Sequence, residues 1–367
     1  MSAPVPERVS HPFLMYDMIR EIPDGVAATL KRLDESPGLD PRTESVIFTG
    51  CGTSFFSAMV ADQIARRFIG GRSDAVQSFE LANCVGLTDG STPVVGISHS
   101  GVTKTTVDAL LHIKERGGLT LALTHYADSP ITRVAHRHVV VGNSPDRSRC
   151  HTKCFVDHVA GAVSLLKGFA PDEHSNPGLQ SLFSELKRLP LLYSTLISRS
   201  ESFGRKLAER YIGAKSFIVS GCGVGYPVAG ETALKLRESS FVSADGYELE
   251  QLLHGPWVSL GKDTPVILFV EKSAEKRCID FISAASKIGV PVAAVAEAGT
   301  LEATSAVDEA FELPPVEGGL SSLLGVMPAY FFAYYSSVLR GNNPDMIRYD
   351  NPAYWSARQY IFPPGTH

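Results

Sequence analysis

Short apolar runs, rich in β-branched residues and closed by glycine, alternate along the chain with amphipathic stretches of helical period. In the first half the runs are Val46–Thr49, Val94–Ile97, Leu119–Leu123 and Val139–Val141. Between the first two, Phe56, Val60, Ile64 and Phe68 recur every fourth residue, the spacing of one helix face. Strands apolar on both sides need cover on both sides. The pattern therefore predicts an α/β fold with parallel sheets held between helices.

The pattern also occurs twice. "SVIFTGCGTSFFSAMVADQIARR" (Ser45 to Arg67) is matched by "SFIVSGCGVGYPVAGETALKLRE" (Ser216 to Glu238), with the two Gly-Cys-Gly triplets 171 residues apart. "TPVVGISHS" from Thr92 matches "TPVILFVEK" from Thr264 at an offset of 172, and "GLTLALT" from Gly118 matches "GVPVAAV" from Gly289 at 171. The near-constant offset predicts two sandwich domains of about 150 residues each. We place them at residues 35–180 and 181–345, after an N-terminal helical segment (1–34) and before a C-terminal tail (346–367). "LKGFAPDEHSNPGLQ" (Leu166 to Gln180) reads as the boundary loop, and Leu182–Lys206 as a helical stretch leading into the second half.

Composition narrows the function. Of 367 residues, 44% are hydrophobic and 20% charged, which supplies an ample core. The net charge of −5, with no basic run, argues against a nucleic-acid partner. The six scattered cysteines suit free thiols in a reducing compartment. The N-terminal "MSAPVPERVSHPF" lacks the pattern of a signal peptide, and the apolar "MPAYFFAYYSSVL" is short for a bilayer span. These features predict a cytoplasmic protein without a membrane partner.

Two turns in the first half carry anion-binding chemistry. "GCGTS" combines Cys51 and Gly52 with the hydroxyls of Thr53 and Ser54 at a helix start. "SHSGVT" adds Ser98, His99, Ser100 and Thr103. Beyond the carboxyl ends of parallel strands, such turns present N–H and O–H donors suited to a phosphate monoester. Ordinary helix capping accounts for either turn alone. The second half, however, has "GCGVG" and "VEKSAE" at the corresponding places. Capping predicts no such asymmetry, whereas a single phosphate site does.

In the second half, Glu231, Lys235 and Glu238 share one helix face, and His254 follows in a His-Gly-Pro turn. Such a face is either a solvated ion-pair stripe or a base held ready by a cation. Cys150, Cys154 and His158 have the chemistry of metal ligands. On one helix the outer two would lie roughly 12 Å apart along the axis, too far to share a zinc ion.

Taken together, "GCGTS", "SHSGVT", "RCHTKCF", "ETALKLRESSF", "LLHGP" and "MPAYFFAYYSSVLRGNNPD" resemble the sugar isomerase (SIS) domain family. The likeness is to its double-domain form, as in the isomerase half of glucosamine-6-phosphate synthase, and covers nearly the whole chain. It implies two three-layer αβα sandwiches acting on a phosphorylated hexose or amino sugar without a cofactor. By that resemblance Glu238 moves the proton between C1 and C2, and Lys235 tunes it. His254 assists ring opening, reaching across a homodimer, and Cys51, Gly52, Thr53, Ser54, Ser98, His99, Ser100 and Thr103 hold the phosphate. Near-neutral proton exchange suits histidine, and a carboxylate reaching both carbons suits the transfer.

Departures from the family pattern qualify this expectation. The chain lacks a preceding glutamine-hydrolysing segment, so free ammonia or the reverse deamination replaces glutamine-dependent amination. The tail "IRYDNPAYWSARQYIFPPGTH" has no lysine where the synthases carry one, and Arg348 or Arg358 would cover the site instead. Arg149, His151 and Thr152 stand at the turn before the first domain's long helix. Arg149 and His151 fit either a substrate with extra negative charge or an ordinary surface turn. A fructosamine-phosphate deglycase and a non-catalytic sugar-phosphate sensor are the competing readings.

Overall fold

The computed structural model describes residues 4–35, 45–68, 72–84, 91–169, 176–301 and 306–363. Two five-stranded parallel sheets form the frame. The first holds Ser45–Gly50 (β1), Arg72–Gln77 (β2), Val94–Ile97 (β3), Thr120–Thr124 (β4) and Arg137–Val140 (β5), in the order β2-β1-β3-β4-β5. The second holds Ser216–Gly221 (β6), Ser243–Glu248 (β7), Val266–Val270 (β8), Val292–Glu297 (β9) and Glu309–Leu313 (β10). Its order, β7-β6-β8-β9-β10, repeats the first. The register repeats too, since Ile47 pairs with Val94 and Ile218 with Val266.

The central strands are the expected apolar runs, with β3, β4 and β8 buried throughout. The edge strands β2 (RSDAVQ) and β7 (SADGYE) are polar, and no apolar run announces them. Each is an edge with one ladder partner and partial cover, so it needs few apolar side chains.

The helix Lys153–Phe169 is buried from Thr152 through Leu166, between Ile22–Glu35 on one side and Thr53–Phe68 on the other. The expected boundary loop is helical at both ends, up to Phe169 and from Pro177, and its middle lies outside the described residues. Pro177–Arg210 is one 34-residue helix packed against Val326–Leu339.

The late apolar stretch proves longer than its sequence suggests. It belongs to a helical run from Glu317 to Leu339, 23 residues, long and apolar enough to span a bilayer. Since 89% of its most apolar window is buried inside the protein, it is a core helix. Its apolar residues meet protein on every side.

Candidate active site

In both sheets the strand order reverses direction beside the first strand, and the crevice between β1 and β3 opens at their carboxyl ends. There a cleft of about 500 Å³ is lined by Cys51, Gly52, Thr53 and Ser54 after β1, and by His99, Ser100 and Thr103 after β3. Gly52 turns the chain with φ +54°, and a Cβ there would touch Leu234 Cδ2 at 4.0 Å, so the backbone conformation rather than crowding calls for glycine. The opposite wall comes from the second half, as Lys235 and Glu238.

A helix crossing brings the halves together. Gly225–Lys235 packs on Thr53–Phe68, and a Cβ at Gly230 would lie 2.3 Å from the Phe56 ring. Only glycine permits that approach. The helix then widens into a π-helical turn, Leu236–Ser240, and ends at Phe241 with left-handed φ of 58°. Such turns recur at functional sites because they re-aim side chains. Here the turn carries Glu238.

Lys235, 1% exposed, joins the two sides. Its Nζ lies 2.5 Å from Glu238 Oε2, donates to Thr53 Oγ1 at 3.0 Å, and stands 3.6 Å from Glu231 Oε1. Burial opposes its charge, but Glu231 and Glu238 outweigh burial and raise its pKa well above the usual value. Glu231 is fully buried and accepts hydrogen bonds from Tyr330 and Thr53 at 3.0 and 3.4 Å. Burial raises its pKa to about 7, against the opposing pull of Lys235. The Cys150 thiol donates to Glu238 Oε2 over 3.6 Å. Glu238, with 28% of its side chain exposed, is the member of the triad that reaches the cleft with a carboxylate.

The second half displays an anion at the place where the first half is open. Gly223, with the same φ of +54° as Gly52, begins the matching turn. Above it sits the Glu271 carboxylate, whose Oε1 accepts from the Val224 and Gly225 amides at 2.9 and 3.2 Å and from Ser322 Oγ at 3.2 Å. Its Oε2 pairs with Arg67 at 3.0 Å. By the repeat offset, Val224 corresponds to Thr53 and Glu271 to His99. One copy of the turn thus carries its own anion, and the other faces a cleft.

The remaining expected residues fall into three groups. Arg149 and His151 line the cleft. Ser98, Thr152 and Arg348 do not. Ser98 Oγ donates to Thr103 and accepts from the Gly101 amide, so it shapes its own loop. Thr152 is buried, with its amide donating to Asp146. Arg348 stacks on Phe241 at 4.2 Å and donates to Tyr354, beside a neighbouring hollow that shares Glu238. Arg358 stacks on Tyr349, Trp355 and Phe362. His254 is exposed, 3.4 Å from Glu250, and is not part of this cleft within the chain. The Thr53 hydroxyl, expected to face a phosphate, is engaged by Lys235 and Glu231.

Sequence reasoning missed the cleft residues Lys104, Thr105 and Asp108, at the helix start after "SHSGVT", and Tyr349, Ile361 and Phe362 from the tail. The first three were recoverable from helix phase, since Lys104 and Thr105 open the helix after the loop and Asp108 follows Lys104 by one turn. No local pattern marks the tail residues.

A doubly wound pair of sheets with a hydroxyl-lined crevice facing a Lys–Glu pair defines a class. The SIS domain family model matches residues 42–156 and 210–340, and the chain belongs to that family. Among sequence relatives, the isomerizing glutamine–fructose-6-phosphate aminotransferases of Thermococcus kodakarensis and Mycobacterium leprae are each 28% identical over 93% of this chain. The chain spans 58% and 57% of those two proteins. Among solved structures, the C-terminal domain of glucosamine-fructose-6-phosphate aminotransferase from Francisella tularensis superposes with TM-score 0.82 at 19% identity, over 92% of this chain and 98% of that one. Tagatose-6-phosphate ketose/aldose isomerase from Escherichia coli gives 0.74 at 22% identity, over 94% and 97%. Glucosamine-6-phosphate deaminase from Thermotoga maritima gives 0.70 at 20%, over 90% and 96%. At these identities the structural likeness establishes the fold.

Proposed function

We propose that the protein is a phosphosugar isomerase, or isomerase-deaminase, moving a proton between C1 and C2 of a hexose or aminohexose 6-phosphate. One observation carries this reading. Lys235 bonds both Glu238 and Thr53, so the carboxylate and the hydroxyl-rich turns face one cleft only two hydrogen bonds apart. The substrate's phosphate sits on the turns after β1 and β3, and the open-chain carbons extend toward Glu238. The carboxylate removes the proton beside the carbonyl and returns it one carbon away. Lys235 holds Glu238 with a direct hydrogen bond, and burial, by raising the pKa of Glu231 to about 7, lessens the competition of the two carboxyl groups for one ammonium.

Ring opening falls to His254 of a second copy, in a cytoplasmic homodimer. Where nitrogen takes part, ammonia is the group added or lost. A second reading, release of an amine from a fructosamine phosphate, has Arg149 in its favour. This exposed cleft guanidinium makes no ion pair among the described residues and would suit an added carboxylate. The test is incubation of the protein with hexose and aminohexose 6-phosphates in D2O, following C1 and C2 by NMR. Exchange with one of them supports the proposal. Exchange with none, alongside tight binding, would leave a sugar-phosphate sensor.

A further inference from the structure

Removing a proton beside a carbonyl puts negative charge on the carbonyl oxygen, which must be met by a donor aimed at that oxygen. Five nitrogen-bearing side chains line the cleft: Lys104, Arg149, Lys235, His99 and His151. Lys235 is engaged by Glu238 and Thr53, and Lys104 is paired with Asp108 at 2.5 Å. Arg149 lies over the Tyr349 ring, 5.9 Å from its centre. His99 accepts the Asp146 amide on Nε2 at 2.9 Å, which fixes its ring as part of the wall. The tail contributes Tyr349, Ile361 and Phe362, and no lysine.

His151 differs from the other four. It lines the same cleft as Glu238 and follows Cys150, whose thiol touches that carboxylate. That ring packs on His99 with centroids 4.2 Å apart. Behind His99 the stack continues to His125, 4.8 Å away, which is held by the buried Asp157 at 3.1 Å. The imidazole is therefore backed by two further rings, and no hydrogen bond of its own nitrogens is found among the described residues.

We propose that His151 is the electrophilic residue of the proton-transfer step, donating its ring N–H to the substrate's carbonyl oxygen while Glu238 takes the proton from the adjacent carbon. The C–H electron pair becomes the C=C bond of an enediol, and the carbonyl π pair moves onto oxygen, which receives the N–H proton. The neighbouring hydroxyl returns a proton to the same nitrogen as its own C=O forms. Glu238 delivers its proton to the first carbonyl carbon. Nothing is oxidised or reduced overall, and every proton is returned. Burial first, and then Lys235, lower the pKa of His151 to about 4, so the ring is neutral near pH 7. A neutral imidazole keeps its N–H as a donor without adding a cation beside Lys235.

The inference rests on the isomerase reading, and the experiment separates the two. Wild type, Glu238→Gln, His151→Phe, His151→Ala and Arg149→Met are compared on the hexose 6-phosphate that wild type exchanges in D2O. His151→Phe lowers kcat by about 10²–10³-fold with little change in KM, the loss expected for one oxyanion donor. Free imidazole restores part of the turnover of His151→Ala, a recovery that a structural role would not give. Retention of kcat within about tenfold of wild type in His151→Phe, below the loss of any essential donor, overturns the inference alone. So does a kcat loss carried by Arg149→Met instead. Absence of exchange in wild type on every substrate overturns the isomerase reading itself.

Discussion

The Glu271 carboxylate accepts the Val224 amide at 2.9 Å, in the second half's copy of the turn that Thr53 begins in the first. The protein thus holds a built-in picture of an anion on this turn. It also marks how the halves differ: the second half's turn is occupied by a carboxylate, beside a hollow of about 460 Å³, whereas the first half's turn is not. Glu271→Ala removes the partner of two buried amides and of Arg67, and urea unfolding should register a loss of roughly 1–3 kcal/mol. Inorganic phosphate should raise the melting temperature of this variant more than that of wild type, by occupying the vacated turn.

Glu238→Gln keeps the shape of the side chain and removes the base. Proton exchange at C1 and C2 should fall by about 10²–10⁴-fold, while inorganic phosphate binds as before. Calorimetry alongside NMR checks both halves of that statement.

Lys235 compensates two carboxyl groups from a site without solvent. Lys235→Met should cost about 3–5 kcal/mol by leaving buried charge without its partner. Adding Glu231→Gln should recover part of the loss, so the double variant is less destabilised than the two singles summed. A denaturation cycle over the four proteins reads the coupling.

Glu231 and His151 contribute to the pH dependence of stability with opposite signs. Burial lifts Glu231 from 4.5 to about 7, so the folded state holds a proton that the unfolded chain has released across that window. Stability falls as pH rises through it, and Glu231→Gln should flatten the slope. His151 is lowered from 6.5 to about 4, chiefly by burial, so the unfolded chain binds its proton first as pH falls. Stability is lost from 6.5 downward, and His151→Phe should reduce that loss. Melting temperatures from pH 4 to 8 for the three proteins check both signs.

If His254 serves a neighbouring copy, Glu238→Gln and His254→Asn are each inactive alone but complement when subunits are exchanged. Mixed dimers then contain one site with both groups intact. Failure to regain turnover on mixing, with dimers verified by ultracentrifugation, would confine catalysis to groups of one chain.

The sequence alone determined the two parallel-sheet sandwiches and the place of the crevice, while the strand order, with its polar edge strands β2 and β7, came from the tertiary structure. The sandwiches and the crevice follow from local periodicity and from the 171-residue repeat, which are properties of neighbours along the chain. Spacing put Glu231, Lys235 and Glu238 on one helix face, and the resemblance to the family singled out Lys235 and Glu238. The sequence could not show that the face bends into a π-helical turn, since that depends on packing against Val326–Leu339. Nor could it show that Thr53 turns its hydroxyl to Lys235, that Glu271 fills the second turn, or that His151 and His99 stack on the cleft wall. Those facts depend on distances between groups up to about 180 residues apart in sequence, such as Thr53 and Lys235. Only the closing of one half of the chain onto the other decided them. Close packing there leaves each buried polar group the partners within reach.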